Sequence, residues 1–271
     1  MMNMMKSHPK YPFQVEINKF SKTQTKIGFF IFFGGGKTYL SLQWLDYRLH
    51  IAQAEQLPYP LPALVLSLKD PMIAQWEVQV KEHSNFRAIG VRGSADHRLS
   101  LLKTDADIYI VNYDIVRSKP VRDYLANRTT HRPYQTFIID ESIAFKEARI
   151  LRFKVWRMLL QHIPYRAILS GRPITEAAEN LWSQMLLLDS GQTFGRSFWK
   201  FRDYFFAPGP PWAPYDWTLK AGAEKDIAQR CSNHCIYVPK KVILDQLPPK
   251  VFNKVYFDMP THLKKMYNQL K

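Results

Sequence analysis

Two cysteines in 271 residues exclude a disulfide scaffold and fit a reducing compartment. Acidic side chains are scarce beside basic ones, 23 against 38, which leaves a formal charge of +15. Such an excess points to a polyanionic partner, nucleic acid first and an anionic membrane surface second. Long apolar runs are missing. Residues 27–33 form the longest run with a recognisable role, far short of the ~20 residues a spanning helix needs. The first ten residues carry no apolar core of signal-peptide length. The methionines at positions 1, 2, 4 and 5 read as a frayed leader without function, and a cytoplasmic protein with no membrane segment is expected. With 46% hydrophobic and 23% charged residues the chain is not a disordered polymer. Its length suits one large domain or two small ones.

Short apolar runs alternate with longer helix-period segments. Residues 27–33 are apolar on both faces, as a strand buried in a parallel sheet is. Residues 37–56 follow, with Leu40, Trp44, Leu45 and Leu49 at helical spacing. Further strands are expected over 63–67, 87–92, 107–111, 136–140 and 166–170, with a helix over 73–83. This alternation predicts an α/β fold with a mostly parallel central sheet flanked by helices. The texture changes after Asp189. Residues 190–235 read as an aromatic and Pro-rich extension: 198–206 are dense in aromatic and basic side chains, 208–217 hold four prolines and must be extended, and 224–235 look helical. Pro248 and Pro249 then punctuate, a strand is expected over 251–257, and an amphipathic helix begins at Thr261.

Gly34-Gly35-Gly36-Lys37-Thr38 stands between a buried strand and a helix, the setting a phosphate loop requires. Glycines let backbone N–H groups turn inward around phosphate oxygens, and the helix terminus adds partial positive charge. Lys37 would reach the β- and γ-phosphates and Thr38 would hold Mg²⁺. The full pattern wants Gly five positions before Gly36, where this chain has Ile31. A second strand ends in Asp140-Glu141. In a nucleotide hydrolase the first carboxylate completes the metal shell and the second activates water. Both belong at the carboxyl ends of strands, where open α/β sheets bind ligands.

The motifs come in a recognisable order. Pro12-Phe13-Gln14 is followed by GGGKT at 34–38. Leu66-Ser67, Gln75-Trp76 and Lys81-Glu82-His83 come next, then Val111-Asn112-Tyr113-Asp114. Asp140-Glu141-Ser142 with Lys146 follows, then Ser170-Gly171-Arg172-Pro173, and Asn180-Leu181-Trp182-Ser183-Gln184. This series resembles the first RecA-like lobe of the Swi/Snf-type branch of superfamily-two DNA helicases, in particular the phage-encoded members. The resemblance implies a RecA-like phosphate-loop lobe over residues 1–247, with 248–271 beginning a linker to a second lobe. It implies ATP and Mg²⁺ as cofactors and DNA, duplex or single-stranded, as partner, in a bacterial or phage-infected cell. It implies Gln14 reading adenine, Gly34, Gly35, Gly36, Lys37 and Thr38 holding nucleotide, and Thr38 and Asp140 holding metal. Lys37, Asp140 and Glu141 are then catalytic, and Ser170, Gly171 and Arg172 couple nucleotide state to DNA. Ser67, Lys81, His83, Asn112 and Tyr113 are placed on the DNA. Two departures stand out: Phe30, Ile31, Phe32 and Phe33 precede the glycines, where relatives are usually acidic or polar, and Arg172 takes the place of a Thr.

The family's second lobe carries arginine fingers, and this chain has no counterpart of it. Residues 247–250 resemble the lead into that lobe, so the chain is expected to be a fragment, a split gene product or a naturally truncated relative, with a second lobe in trans as a partner. The implied activity is DNA-dependent ATP hydrolysis, with an ATP- and DNA-binding module lacking turnover of its own as the alternative. The stretch 198–204 suits either packing on the lobe or DNA contact. Cys231, His234 and Cys235 lack a second ligand pair for zinc, and His131 and His162 have no triad partner by spacing.

Overall fold

A computed structural model describes residues 4–6, 11–131, 133–174, 177–213, 216–246, 253–254 and 258–269. The elements run α1 (Pro12–Ser21), β1 (Lys26–Ile31), α2 (Lys37–Glu55), β2 (Ala63–Ser67), α3 (Asp70–His83), β3 (Ala88–Val91), α4 (Ala95–Lys103) and β4 (Ile108–Asn112). Then come α5 (Lys119–His131), β5 (Thr136–Ile139), α6 (Leu151–Leu159), β6 (Tyr165–Ser170), α7 (Asn180–Asp189) and α8 (Phe198–Phe205). The rest is β7 (Phe206–Ala207), β8 (Thr218–Leu219), α9 (Ala223–Ser232), β9 (Cys235–Val238), α10 (Lys240–Leu244) and α11 (Thr261–Gln269).

Among the described residues the central sheet has seven strands in the order β3-β4-β2-β5-β6-β1-β9, all paired in parallel. Side chains alternate across it. Ile27, Phe29 and Ile31 of β1 face one core with Val65, Ile110, Ile138 and Leu169, under Trp44 of α2 and Trp76 of α3. Phe30, Leu66, Val111, Phe137 and Ile168 face the other, under α5 to α7. With both faces buried, the strands are apolar throughout, which is why their hydrophobic runs showed no period of two.

Three expectations change. The run 27–33 yields a strand only to Ile31, because the chain leaves the sheet at Phe32 to start the glycine loop. The segment 224–235 is a helix only to Ser232, and Cys235 opens β9, which pairs with β1 from Gly28↔Cys235 to Ile31↔Val238. Gly28 permits this: a Cβ there would lie 2.5 Å from the Cys235 Sγ. Nor is the leader frayed at its described residues. The Met4 N–H donates to Asp46 Oδ1 at 3.0 Å, and Met5 bridges to Ser84. The lead at 247–250 and most of the strand expected over 251–257 lie outside the described residues. No helix among the described residues is long and apolar enough to cross a membrane.

Candidate nucleotide site

The strands β5, β6 and β1 are neighbours and parallel, so the loops at their carboxyl ends meet at one edge of the sheet. The glycine loop follows β1, the acidic pair follows β5, and Gly171-Arg172 follows β6 between them. Gly34 and Gly36 take φ of +83° and +80°, a left-handed backbone that favours glycine. Gly36 also caps α2. A Cβ on Gly35 would sit 2.4 Å from Ile31 Cγ2 and 2.8 Å from Ile243 Cδ1, so α10 closes on the loop too tightly for any side chain there. The three glycines thus leave a cradle of bare backbone opening onto a helix N-terminus.

Lys37 Nζ donates to the Ile31 carbonyl at 3.3 Å and lies 3.8 Å from Glu141 Oε1 and 4.9 Å from the centre of the Phe33 ring. Phe33 is half exposed, and its ring packs against Gly171, where a Cβ would come within 3.0 Å of it. The aromatic residue that departs from the family pattern therefore bridges the glycine loop, its lysine and the loop after β6.

Asp140 is buried, and the Trp76 Nε1–H donates to its Oδ2 at 2.8 Å. Burial raises its pKa, against the opposing effects of that hydrogen bond and of Lys37. Glu141 has φ +49°, a left-handed backbone rare for a side-chain-bearing residue and costing of order 1–3 kcal/mol. Burial raises its pKa as well; Lys37 pulls it down, Asp140 pushes it up, and the Gly171 N–H stabilises the charged form. A buried carboxylate and a half-buried one beside one ammonium are a site short of positive charge, which is what a divalent cation supplies.

The Ser142 Oγ donates to Gln184 Oε1 at 2.7 Å, and Gln184 Nε2 donates to the Pro173 and Asn180 carbonyls. One fully buried amide thus ties the acidic loop to the segment after β6 and to α7. The motif reading noted Gln75-Trp76 and Gln184 without their partners; the signal missed was an indole N–H and an amide in otherwise apolar surroundings.

Several expected positions are brought together and several are not. Lys37, Thr38, Asp140, Glu141 and Gly171 converge. Gln14 is buried with both groups engaged: its Nε2 donates to the Gly35 carbonyl and its Oε1 accepts from the Tyr11 N–H. It braces the glycine loop from beneath. Ser170 is buried, and its Oγ accepts from the Arg172 N–H at 3.2 Å, shaping the turn that leaves Arg172 exposed.

The DNA-contact expectations need correction at three residues. Tyr113 is fully buried; its hydroxyl donates to the Glu141 carbonyl at 3.3 Å, and its ring packs edge-on against Phe145. It supports the acidic turn from the core and has no face for DNA. Ser67 is likewise buried, its hydroxyl without a partner among the described residues. Asn112 spends its side chain on the loop, accepting from the Asp114 N–H and donating to the Leu68 carbonyl. Lys81 is exposed, and the His83 ring stands edge-on to Tyr39 at 5.2 Å beside the start of α2.

The profile of the SNF2-related domain matches residues 24–271. The p41 protein of Acyrthosiphon pisum secondary endosymbiont phage 1 is 29% identical over 196 residues, 68% of this chain and 40% of that protein. The Arabidopsis thaliana TATA-binding protein-associated factor BTAF1 is 27% identical over 209 residues, 73% of this chain and 10% of its own length. The human DNA annealing helicase and endonuclease ZRANB3 is 25% identical over 215 residues, 74% and 18% respectively. The match thus spans less than half of each relative. Among solved structures, the Sulfolobus solfataricus SWI2/SNF2 ATPase core in complex with dsDNA superposes with a TM-score of 0.67 at 21% identity, over 99% of this chain and 53% of that one.

Proposed function

The chain belongs to the SNF2-related domain family, and from that premise we propose that it is the first lobe of an ATP-dependent DNA translocase or helicase motor. One observation carries the reading: the loops after β5, β6 and β1 place Glu141 within 3.8 Å of Lys37, beside the bare-backbone cradle of Gly34 to Gly36. DNA as partner is supported by the +15 charge, by the dsDNA complex of the Sulfolobus neighbour and by the annealing helicase among the relatives. The phage relative supports work in the cytoplasm of an infected cell.

Bound Mg²⁺ would compensate charge on the nucleotide phosphates. The Thr38 hydroxyl and the Asp140 carboxylate are the residues to hold it, and Trp76 keeps Asp140 aimed. The loop N–H groups and Lys37 bind the phosphate oxygens. For Lys37 this means exchanging the Ile31 carbonyl and the Phe33 ring for phosphate. Glu141 orients a water and accepts its proton at a carboxylate oxygen; its raised pKa makes it a stronger base than an ordinary carboxylate. Gly171 couples to this step directly, because its N–H stabilises charge on Glu141. Gln14 holds the loop and keeps one Nε2 proton for the adenine edge. Arg172 lies on the same lobe and cannot close over the phosphates from the opposite side.

The test is steady-state ATPase with saturating DNA, comparing this chain, its Glu141→Gln variant and this chain joined or mixed with a second RecA-like lobe. The chain alone should bind ATP and turn it over weakly. A second lobe bringing arginine fingers should raise the rate by about 10³–10⁵. Turnover of several per second by the chain alone, abolished by Glu141→Gln, would make it self-sufficient and overturn the one-lobe reading.

A further inference from the structure

The lobe has a second chemically distinctive surface, away from the glycine loop. A groove of about 800 Å³ lies between α6 and the start of α8, and its lining includes Arg149, Lys154, Arg157, Trp199 and Arg202. Five basic residues line it against two acidic ones, Glu147 and Glu179. Its rim holds apolar side chains left in water: Met158 is 52% exposed and Trp199 55%. Large exposed apolar groups ringed by charge mark a binding surface. The Arg202 guanidinium lies over both neighbouring indoles, 3.8 Å from the Trp217 ring centre and 4.5 Å from that of Trp199.

The groove continues at both ends. Towards the nucleotide site it shares Lys146 and Glu147 with a depression bounded by Glu141, Arg117 and Arg152. At the other end it shares Arg157 and Gln161 with one reaching Lys26 and Arg196. The three depressions adjoin through these shared residues as a channel along α6, one end of which borders the acidic loop. Nine residues of helix alone span about 14 Å, room for several nucleotides once both ends are added.

We propose that this channel binds single-stranded nucleic acid, with phosphates on Lys154 and Arg157 and an unpaired base stacked on Trp199. A compact ligand would not need cations repeated along such a length. An acidic peptide would use the charges, but it leaves the exposed Trp199 indole without the planar partner that an unpaired base supplies. The inference rests on the motor reading above and adds to it a path for one strand along the flank of the lobe.

The experiment titrates the full chain into labelled dT20 and a 20-base-pair duplex by fluorescence anisotropy over a salt series. Binding of an ATP analogue and thermal melting serve as controls. The double variant Lys154→Glu with Arg157→Glu should weaken dT20 binding at least about 10-fold. It should also make the salt slope shallower by about 1.4, two contacts at ~0.7 each. A matched pair on α4 and α9, Lys103→Glu with Lys225→Glu, should change it less than about twofold. Trp199→Ala should cost dT20 about 5- to 100-fold and the duplex little, with Trp199→Phe restoring most of the loss, since stacking is worth ~1–3 kcal/mol per base. Wild-type affinity in the groove variants overturns the channel while DNA-stimulated ATPase of the wild type keeps the motor reading. Equal losses for duplex and single strand overturn it too. So does polyglutamate competing with dT20 for the wild type and losing its hold in the same variants. A wild type that binds no DNA removes both readings.

Discussion

At the carboxyl ends of β5, β6 and β1 the chain accepts local costs: two left-handed glycines, a left-handed and half-buried glutamate, a buried aspartate and a lysine whose neighbours include an aromatic ring. Along α8 it accepts fewer, and no residue of that helix is left-handed. Phe201 and Phe205 are buried among Phe194, Phe198 and Phe206 in tilted and edge-on ring contacts, and Ser197 caps α8 by accepting from the Lys200 N–H. Both regions are dense in conspicuous residues, but for different reasons. The first is held in an unfavourable arrangement by the sheet beneath it, as a binding site has to be before its ligand arrives. The second stabilises the fold with one face of α8 and leaves the other, with Trp199 and Tyr204, in water. An aromatic residue in this protein therefore carries two meanings, and burial separates them.

The contrast can be broken most forcefully at Phe201. Phe201→Ala should cost about 3–5 kcal/mol in denaturant unfolding, the usual penalty for emptying a packed aromatic site. The affinity of the surviving folded protein for an ATP analogue should be unchanged; a parallel loss of affinity would mean that flank and site are one unit. Lys37→Ala reverses the pattern. Loss of the charge-assisted phosphate contacts, roughly 1.5–3 kcal/mol, should weaken a fluorescent ATP analogue with Mg²⁺ about 10- to 100-fold, while the unfolding midpoint moves little. Equal affinities in a titration would remove the phosphate-loop assignment.

The smallest effect is the most diagnostic of a site that stores cost. Burial raises the Glu141 pKa above its unfolded value, so the folded state binds that proton more tightly. The resulting stability is present below the ordinary carboxylate range and is lost as pH rises through the raised folded value. Glu141→Gln carries no such charge. The variant should melt level with the wild type near pH 4 and above it at pH 8. Thermal melts at both pH values decide this, and a variant less stable at pH 8 would show that the pair with Lys37 outweighs burial.

Much of the lobe was legible in the chain. Gly34 to Thr38 and Asp140-Glu141 are local chemistry: a phosphate needs consecutive N–H groups, and a metal and a base need adjacent carboxylates, so the residues lie side by side. The strands were legible because burial on both faces makes them continuous apolar runs. β9 was not, because four residues after a helix carry too little pattern, and its place depends on Gly28 leaving room for Cys235. Tyr113 shows the opposite failure. It stands in a motif associated with DNA, yet burial of its ring against Phe145 turns its hydroxyl to the Glu141 carbonyl.

The amino-acid order by itself therefore determined the α/β class and the family, and marked the glycine loop and the acidic pair. Each rests on residues that are neighbours along the chain or recur at a fixed period. The tertiary structure alone decided what holds those groups in position. Trp76 reaches Asp140 across 64 residues and Gln184 reaches Ser142 across 42, while Phe33 meets Gly171 and the walls of the α6 channel come from four separate segments. Such pairs share no spacing. They exist because parallel strands carry their carboxyl ends to one edge, and packing then selects which side chains from distant segments meet there.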